Sequence, residues 1–147
     1  MDAPIGRLAL CADGRGLCAL NFHATGAEMD EAPVLLQAQR ELEAYFAGRR
    51  TAFSVPLSME GTPFQMQVWE ALQSIPYGEL RSYGDIARQI GRDRACRAVG
   101  MANHANPLPI FVPCHRVVGA DGRLTGYGGG LDVKKYLLEL EGIHVEV

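Results

Sequence analysis

Helix start and stop signals crowd the second half of this chain and leave room only for short helices joined by tight turns. Thr62 followed three residues later by Gln65 spells a capping box with Pro63 at the first helical position, so a helix is expected over 63–74, burying Val68, Trp69 and Leu72. Ser82 suits the N-cap of a helix over 83–90 that Gly91 ends, and Asp93 suits the N-cap of another over 94–103. Two short helices joined by a glycine-containing turn have the form of a helix-turn-helix. A last helix is expected to open at Asp132 and stop at Gly142, with Val133, Tyr136, Leu137 and Leu140 at the spacing of a buried stripe. Glu141 falls in its final turn, where a carboxylate opposes the helix dipole and needs a partner or water.

The first sixty residues read differently. Segments 8–11 and 17–22 flank a turn built from Ala12, Asp13, Gly14, Arg15 and Gly16, which predicts a hairpin. Leu35, Leu42, Tyr45 and Phe46 fall close to one face of an amphipathic helix over 34–47, with Gly48 placed to end it, and 51–57 reads as a further strand. The expected fold class is α/β (α+β). A small N-terminal α/β scaffold over 1–58, with an antiparallel sheet and a helix, precedes a mostly helical domain over 59–147 that carries the helix-turn-helix and an active-site loop. A chain of 147 residues with 48% hydrophobic content can bury the cores this requires.

Net charge is only −3, so bulk electrostatics does not announce a nucleic-acid binder. Its distribution says more. Residues 77–123 hold seven arginines against four acids, whereas residues 1–60 hold five against eight. A basic segment on an acidic body can still dock on phosphates through one face. On the second helix of the expected pair, stepping about 100° per residue puts Ala95, Ala98, Val99 and Ala102 on a packed stripe and turns Arg97, Gly100 and Met101 outward.

Cysteine usage narrows the chemistry. Cys11, Cys18, Cys96 and Cys114 show no Cys-x-x-Cys spacing, and Cys11, Cys18 and His23 lack a clear fourth ligand, so no metal site is expected. Met1-Asp2-Ala3-Pro4 leads straight into folded-looking sequence without a signal peptide, and no apolar run is long enough for a membrane span. A reduced, cytoplasmic protein is expected. Cys114 stands apart from the other three. It follows the apolar run Ile110-Phe111-Val112 and Pro113, which ends a strand, and it precedes His115 and Arg116. A thiol with a pKa of about 8.5 is only a few per cent thiolate at neutral pH, and neighbouring cations raise that fraction. On an extended segment, the side chains of Cys114 and His115 would point to opposite sides.

Pro113-Cys114-His115-Arg116-Val117, preceded by Asn106-Pro107 and followed by Gly126-Tyr127-Gly128-Gly129-Gly130-Leu131, resembles the active-site region of the O6-alkylguanine-DNA alkyltransferases. The resemblance extends over 61–142 through Gly61-Thr62-Pro63-Phe64-Gln65, Val68-Trp69, Ile75-Pro76, Ser82-Tyr83, Arg97-Ala98-Val99-Gly100 and Glu141-Gly142. It implies single-turnover transfer of an alkyl group from O6-alkylguanine in double-stranded DNA, with O4-alkylthymine as a further candidate, to Cys114. The expected working form is a monomer without cofactor. The helix carrying Arg97, Ala98, Gly100 and Met101 would lie in the minor groove, with Arg97 filling the stack vacated by a flipped nucleotide. Glu141 would hold His115, which polarises a water that takes the Cys114 proton. Asn106 would tie the loop behind the site, and Tyr83 would donate to the leaving guanine oxygen. Arg116, Val117, Tyr127, Gly128 and Gly129 would line the base, with the Gly128 N–H on its oxygen and the Val117 backbone on its amine.

Three positions depart from the family pattern. Many members have Thr where Leu80 stands, and many bacterial members have Gly then Arg or Lys where His104 and Ala105 stand, which bears on DNA affinity more than on chemistry. Two other readings remain: a non-catalytic alkylated-DNA recognition protein, whose kind replaces the reactive cysteine, and a transcription regulator using the helix-turn-helix alone.

Overall fold

The computed structural model describes residues 1–25, 32–124 and 126–145. The chain divides into two compact units, Met1–Met59 and Glu60–Val147. In the first, a short antiparallel pair, β1 (Asp2–Ala3) and β2 (Gly6–Arg7), precedes the main hairpin of β3 (Ala9–Ala12) and β4 (Leu17–Asn21). The hairpin was expected and the β1–β2 pair was not. Leu10 pairs with Leu20 on the buried face, and a bulge at Cys11/Ala12 keeps Leu17 on that face as well. Helix α1 (Pro33–Phe46) covers them with Leu35, Ala38, Leu42 and Tyr45, and Gly48 ends it at φ 74°.

The strand expected over 51–57 does not form. Only a single parallel bridge joins Leu17 to Leu57, because Glu41 takes the backbone N–H groups of Ser54 and Val55 that a ladder would use. The carboxylate also accepts from the Ser54 hydroxyl and Gln37, so this buried charge is fully bonded.

In the second unit, α2 (Pro63–Gln73) starts on the predicted capping box and buries Val68, Trp69 and Leu72. The indole N–H of Trp69 donates to the Ala102 carbonyl at 2.8 Å, which fixes α2 against α4 (Cys96–His104). Helix α3 (Tyr83–Gln89) begins on Ser82, whose hydroxyl accepts from the Asp85 N–H while the Asp85 carboxylate accepts from the Ser82 N–H. Gly91, at φ 75°, turns the chain from α3 toward α4.

Three expectations fail between Asp93 and Val112. Asp93 does not cap α4, which starts later, with Ala95 as an N-cap that makes no side-chain bond. Ala98 is exposed rather than packed, and the buried residues of α4 are Val99, Ala102 and Asn103. Nor is 110–112 a strand: Ile110 sits at φ 76°, where a ladder cannot continue, and only Pro109 and Val112 bridge.

Two-residue strands β5 (Arg81–Ser82) and β6 (Val117–Val118) pair in parallel, Arg81 with Val117 and Ser82 with Val118. That pairing fixes the N-cap of α3 beside the residues that follow Cys114. Helix α5 (Leu131–Leu140) starts from Gly130, with Asp132 in its first turn instead of at its cap, and Gly142 ends it at φ 87°. Its buried residues are Val133, Lys134, Leu137 and Leu138, while Tyr136 is exposed. No helix among the described residues is long and apolar enough to cross a membrane.

Candidate active site

Pro113 ends the irregular apolar segment at ψ 64°, and the next three residues, Cys114–Arg116, close a single 3₁₀ turn. The turn, not an extended strand, sets the directions of the side chains: successive residues step about 120° around a 3₁₀ axis, so Cys114 and His115 diverge without being opposed. Both are buried, as are Arg116, Val117 and Val118.

Glu141 organises this cluster. Its carboxylate accepts Nε–H and Nη2–H bonds from Arg116 at 2.8 and 3.1 Å, and Oε2 lies 2.6 Å from Nε2 of His115. Oε1 also accepts the Gly78 N–H at 3.0 Å. Gly78 holds φ 80°, and a Cβ there would meet the Glu141 carbonyl at 3.3 Å, so glycine suits this approach. Arg116 donates further to the Ile75 carbonyl at 2.7 Å and stacks over Tyr77 at 5.8 Å from the ring centroid. The sequence reading assigned Arg116 to the base or DNA. The fold turns it inward to neutralise Glu141, which a carboxylate buried in a last helical turn requires.

The same bonds fix the histidine's tautomer. A carboxylate paired with arginine can only accept, so Nε2 of His115 carries the proton and Nδ1 of the neutral ring keeps its lone pair. Nδ1 is buried and meets no hydrogen-bond partner among the described residues. Burial pushes the His115 pKa down, more strongly than Glu141 raises it, so the ring is a neutral base at physiological pH.

Burial holds the Cys114 thiol pKa above its ordinary value, and the Asn106 amide, the Lys134 ammonium and the Tyr127 hydroxyl offset only part of that rise. Asn106 donates to the Val112 carbonyl and accepts from the Leu108 N–H, both at 2.9 Å, and so pins the segment leading into Cys114. Asn103 on α4 adds a longer contact, 3.4 Å, to the Cys114 carbonyl. Lys134, missing from the sequence reading, is fully buried and donates to the Val117 carbonyl at 2.7 Å. Its position beside Val133 and three and four residues before Leu137 and Leu138 was the available signal.

The remaining candidates fall into two places. Arg97, Ala98 and Met101 are exposed on α4, Met101 at 75%. Gly100 is less open, and a Cβ there would make an ordinary contact with the Tyr83 ring at 3.9 Å. Tyr83 is half-buried at the start of α3. Tyr127 and Gly129 are buried and Gly128 exposed in the loop before α5, and a Cβ on Gly128 would meet no atom within 4 Å. Among the described residues no group of His, Cys, Asp and Glu could hold a metal.

The second unit thus carries a helix-turn-helix together with a buried thiol and a carboxylate-held imidazole. Residues 63–143 match the model of the 6-O-methylguanine DNA methyltransferase DNA-binding domain, and residues 1–59 that of the family's ribonuclease-like domain. The chain belongs to the 6-O-methylguanine DNA methyltransferase family. It is 52% identical to a methylated-DNA–protein-cysteine methyltransferase of Methanosarcina acetivorans, over 96% of this chain and 95% of that protein. Its fold is similar to the crystal structure of Mycobacterium tuberculosis OGT in complex with DNA, with TM-score 0.88 and 51% identity, covering 97% of this chain and 90% of that one. The chain is also similar to Schizosaccharomyces pombe Atl1 in complex with damaged DNA containing O6-carboxymethylguanine, with TM-score 0.52 and 35% identity, over 60% of this chain and 83% of that one.

Proposed function

We infer that this protein repairs alkylated DNA by accepting the alkyl group of O6-alkylguanine on Cys114, once per molecule. The observation that carries the reading is the His115–Glu141 contact: Oε2 lies 2.6 Å from Nε2, which assigns the proton to Nε2 and leaves a buried Nδ1 lone pair in the residue next to the thiol. A water between Nδ1 and the sulfur would pass the Cys114 proton to His115. The thiolate attacks the alkyl carbon, the S–C bond forms as the C–O6 bond breaks, and Tyr83 donates a hydrogen bond or proton to the departing guanine oxygen. The thioether carbon is a poor electrophile and no second nucleophile is in play, so the transfer is not reversed. O4-alkylthymine presents the same electrophilic carbon and is the second candidate substrate.

A stacked base cannot bring O6 to a buried sulfur, so the nucleotide must leave the helix, at a cost of a few kcal/mol. In this reading the helix carrying Arg97 and Met101 enters the minor groove and Arg97 occupies the gap; both side chains are exposed on α4. The loop carrying Tyr127, Gly128 and Gly129 offers bare backbone to the base. Family membership and the Mycobacterium tuberculosis complex with DNA support this reading.

Cys114→Ser tests it. Sulfur replaced by oxygen should remove transfer to below one part in a hundred of the wild-type rate, while binding of duplex containing O6-methylguanine persists. Full transfer by the variant would overturn the assignment of Cys114, and selective binding of undamaged sequence without any transfer by the wild type would favour a regulator.

A further inference from the structure

We propose that Cys11 and Cys18 form a thiol pair on the outer face of the N-terminal hairpin, a modification site where low-molecular-weight disulfides of the glutathione class close a reversible internal disulfide. The pair belongs to the unit that does not carry Cys114, so the proposal is independent of the repair reading. Two cysteines on neighbouring strands become a pair only where register and pleat bring them to one face. The ladder sets Cys11 of β3 opposite Ala19 of β4 but Ala12 opposite Leu17, which makes Cys18 the extra residue of the bulge.

Burial fixes the face on which Cys18 lies. Leu17 and Leu20 are both buried although three residues apart, a spacing that would put them on opposite faces of a regular strand. The extra residue restores them to one face and leaves Cys18 and Ala19, both half-buried, on the other. Cys11 follows the buried Leu10 and is exposed on that same outer face. Opposed residues of an antiparallel ladder have Cα atoms about 4.5–5.5 Å apart, inside the range of about 4.4–6.8 Å that a disulfide spans. Cys18 shares with Ala19 the place opposite Cys11, so pairing asks for side-chain rotation and not for a new register. The electrostatics agree: burial first, then the charges of Asp13 and Cys11, raise the Cys18 thiol above its ordinary pKa.

Exposure sets the order of events. Cys11, the more accessible thiol, gives up its proton and attacks the incoming disulfide, which releases one small thiol and leaves a mixed disulfide. Cys18 then loses its proton to water and displaces the second small thiol. Two protein thiols are oxidised to one S–S bond, and one external disulfide is reduced to two thiols. The link ties β3 to β4 across the turn that Asp13 organises by accepting from the Arg15 and Gly16 N–H groups and the Ser58 hydroxyl. An exposed disulfide of this kind is readily reduced again, which makes the closure reversible.

The test equilibrates the full chain, without DNA, in glutathione buffers of graded ratio, quenches it with acid, and reads it by mass spectrometry before and after non-reducing trypsin digestion. Closure removes two hydrogens and should leave the tryptic peptides 8–15 and 16–40 joined until a reductant is added. The joined fraction should fall with the square of the glutathione concentration over that of its disulfide, as an internal disulfide requires. Cys96, exposed on α4, serves as the internal control and should take a glutathione adduct that follows the first power.

Cys11→Ser, a change at an exposed position, should abolish the joined peptides and leave Cys18 as a free thiol or a glutathione adduct. Separate adducts on Cys11 and Cys18 of the wild type, titrating with the first power, would overturn the proposal. Joined peptides found only in a covalent dimer would overturn it equally, since the bond would then lie between chains. Absence of transfer from alkylated DNA would strike the repair reading and leave this one standing.

Discussion

Arg97 and Arg116 carry the same side chain and do opposite things. Arg116 spends its guanidinium on Glu141 and the Ile75 carbonyl inside the unit, while Arg97 stands exposed on α4. The family resemblance set both against the DNA or its base, and burial is not written in a residue type. Cys114, His115 and Glu141 were singled out from the motif and the family resemblance, and the fold brings the Glu141 carboxylate onto His115. Lys134 was not, since a lysine in an amphipathic helix reads as solvent-facing. Arg97→Ala should slow repair of duplex at least tenfold while changing reaction with free O6-alkylguanine base by less than twofold, because only duplex leaves a gap to fill. Equal losses on the two substrates in single-turnover assays would remove that role.

Among the elements, those with local start and stop chemistry were the readable ones. The Thr62–Gln65 capping box, Ser82, and the glycines at 48, 91 and 142 mark boundaries that the fold respects within a residue or two. Segments whose conformation is decided by distant partners were not readable: 51–57 yields its N–H groups to Glu41, and 110–112 turns at Ile110. Asp93 failed as a cap because α4 begins only at Cys96, after the turn has closed. The Ser82 cap does more than start α3, since β5 pairs with β6 and so joins Tyr83 to the segment following Cys114. Ser82→Ala should cost about 1 kcal/mol of stability in denaturant unfolding and also slow transfer, because Tyr83 loses its fixed entry. A stability loss with an unchanged transfer rate would separate the cap from the chemistry.

Across the whole molecule, pH links the buried histidine to folding. Burial holds the folded His115 pKa below its ordinary value of about 6.5, so as pH falls the unfolded chain binds a proton that the folded chain does not. Stability contributed by neutral His115 is present above about pH 6.5 and declines below it. The carboxylates of Asp13, Glu41 and Asp85 are held low instead, so their contribution is lost only at more acid pH, through their folded values. Thermal unfolding of the wild type should therefore fall in midpoint between about pH 7.5 and 5.5, and His115→Asn should flatten that slope. Parallel slopes in the two proteins would mean that His115 binds its proton equally in the folded and unfolded chains, and would contradict the lowered pKa.

The claim on which these readings converge is that Cys114 becomes a thioether at the expense of damaged DNA. Intact-mass and peptide mass spectrometry after incubation with one equivalent of O6-methylguanine duplex measures it directly. The account predicts a gain of one methyl group per molecule, located on Cys114, with guanine restored in the DNA and no second turnover when substrate is in excess. An unchanged mass with the duplex still methylated, or a methyl group found on Cys11, Cys18 or Cys96, would contradict it.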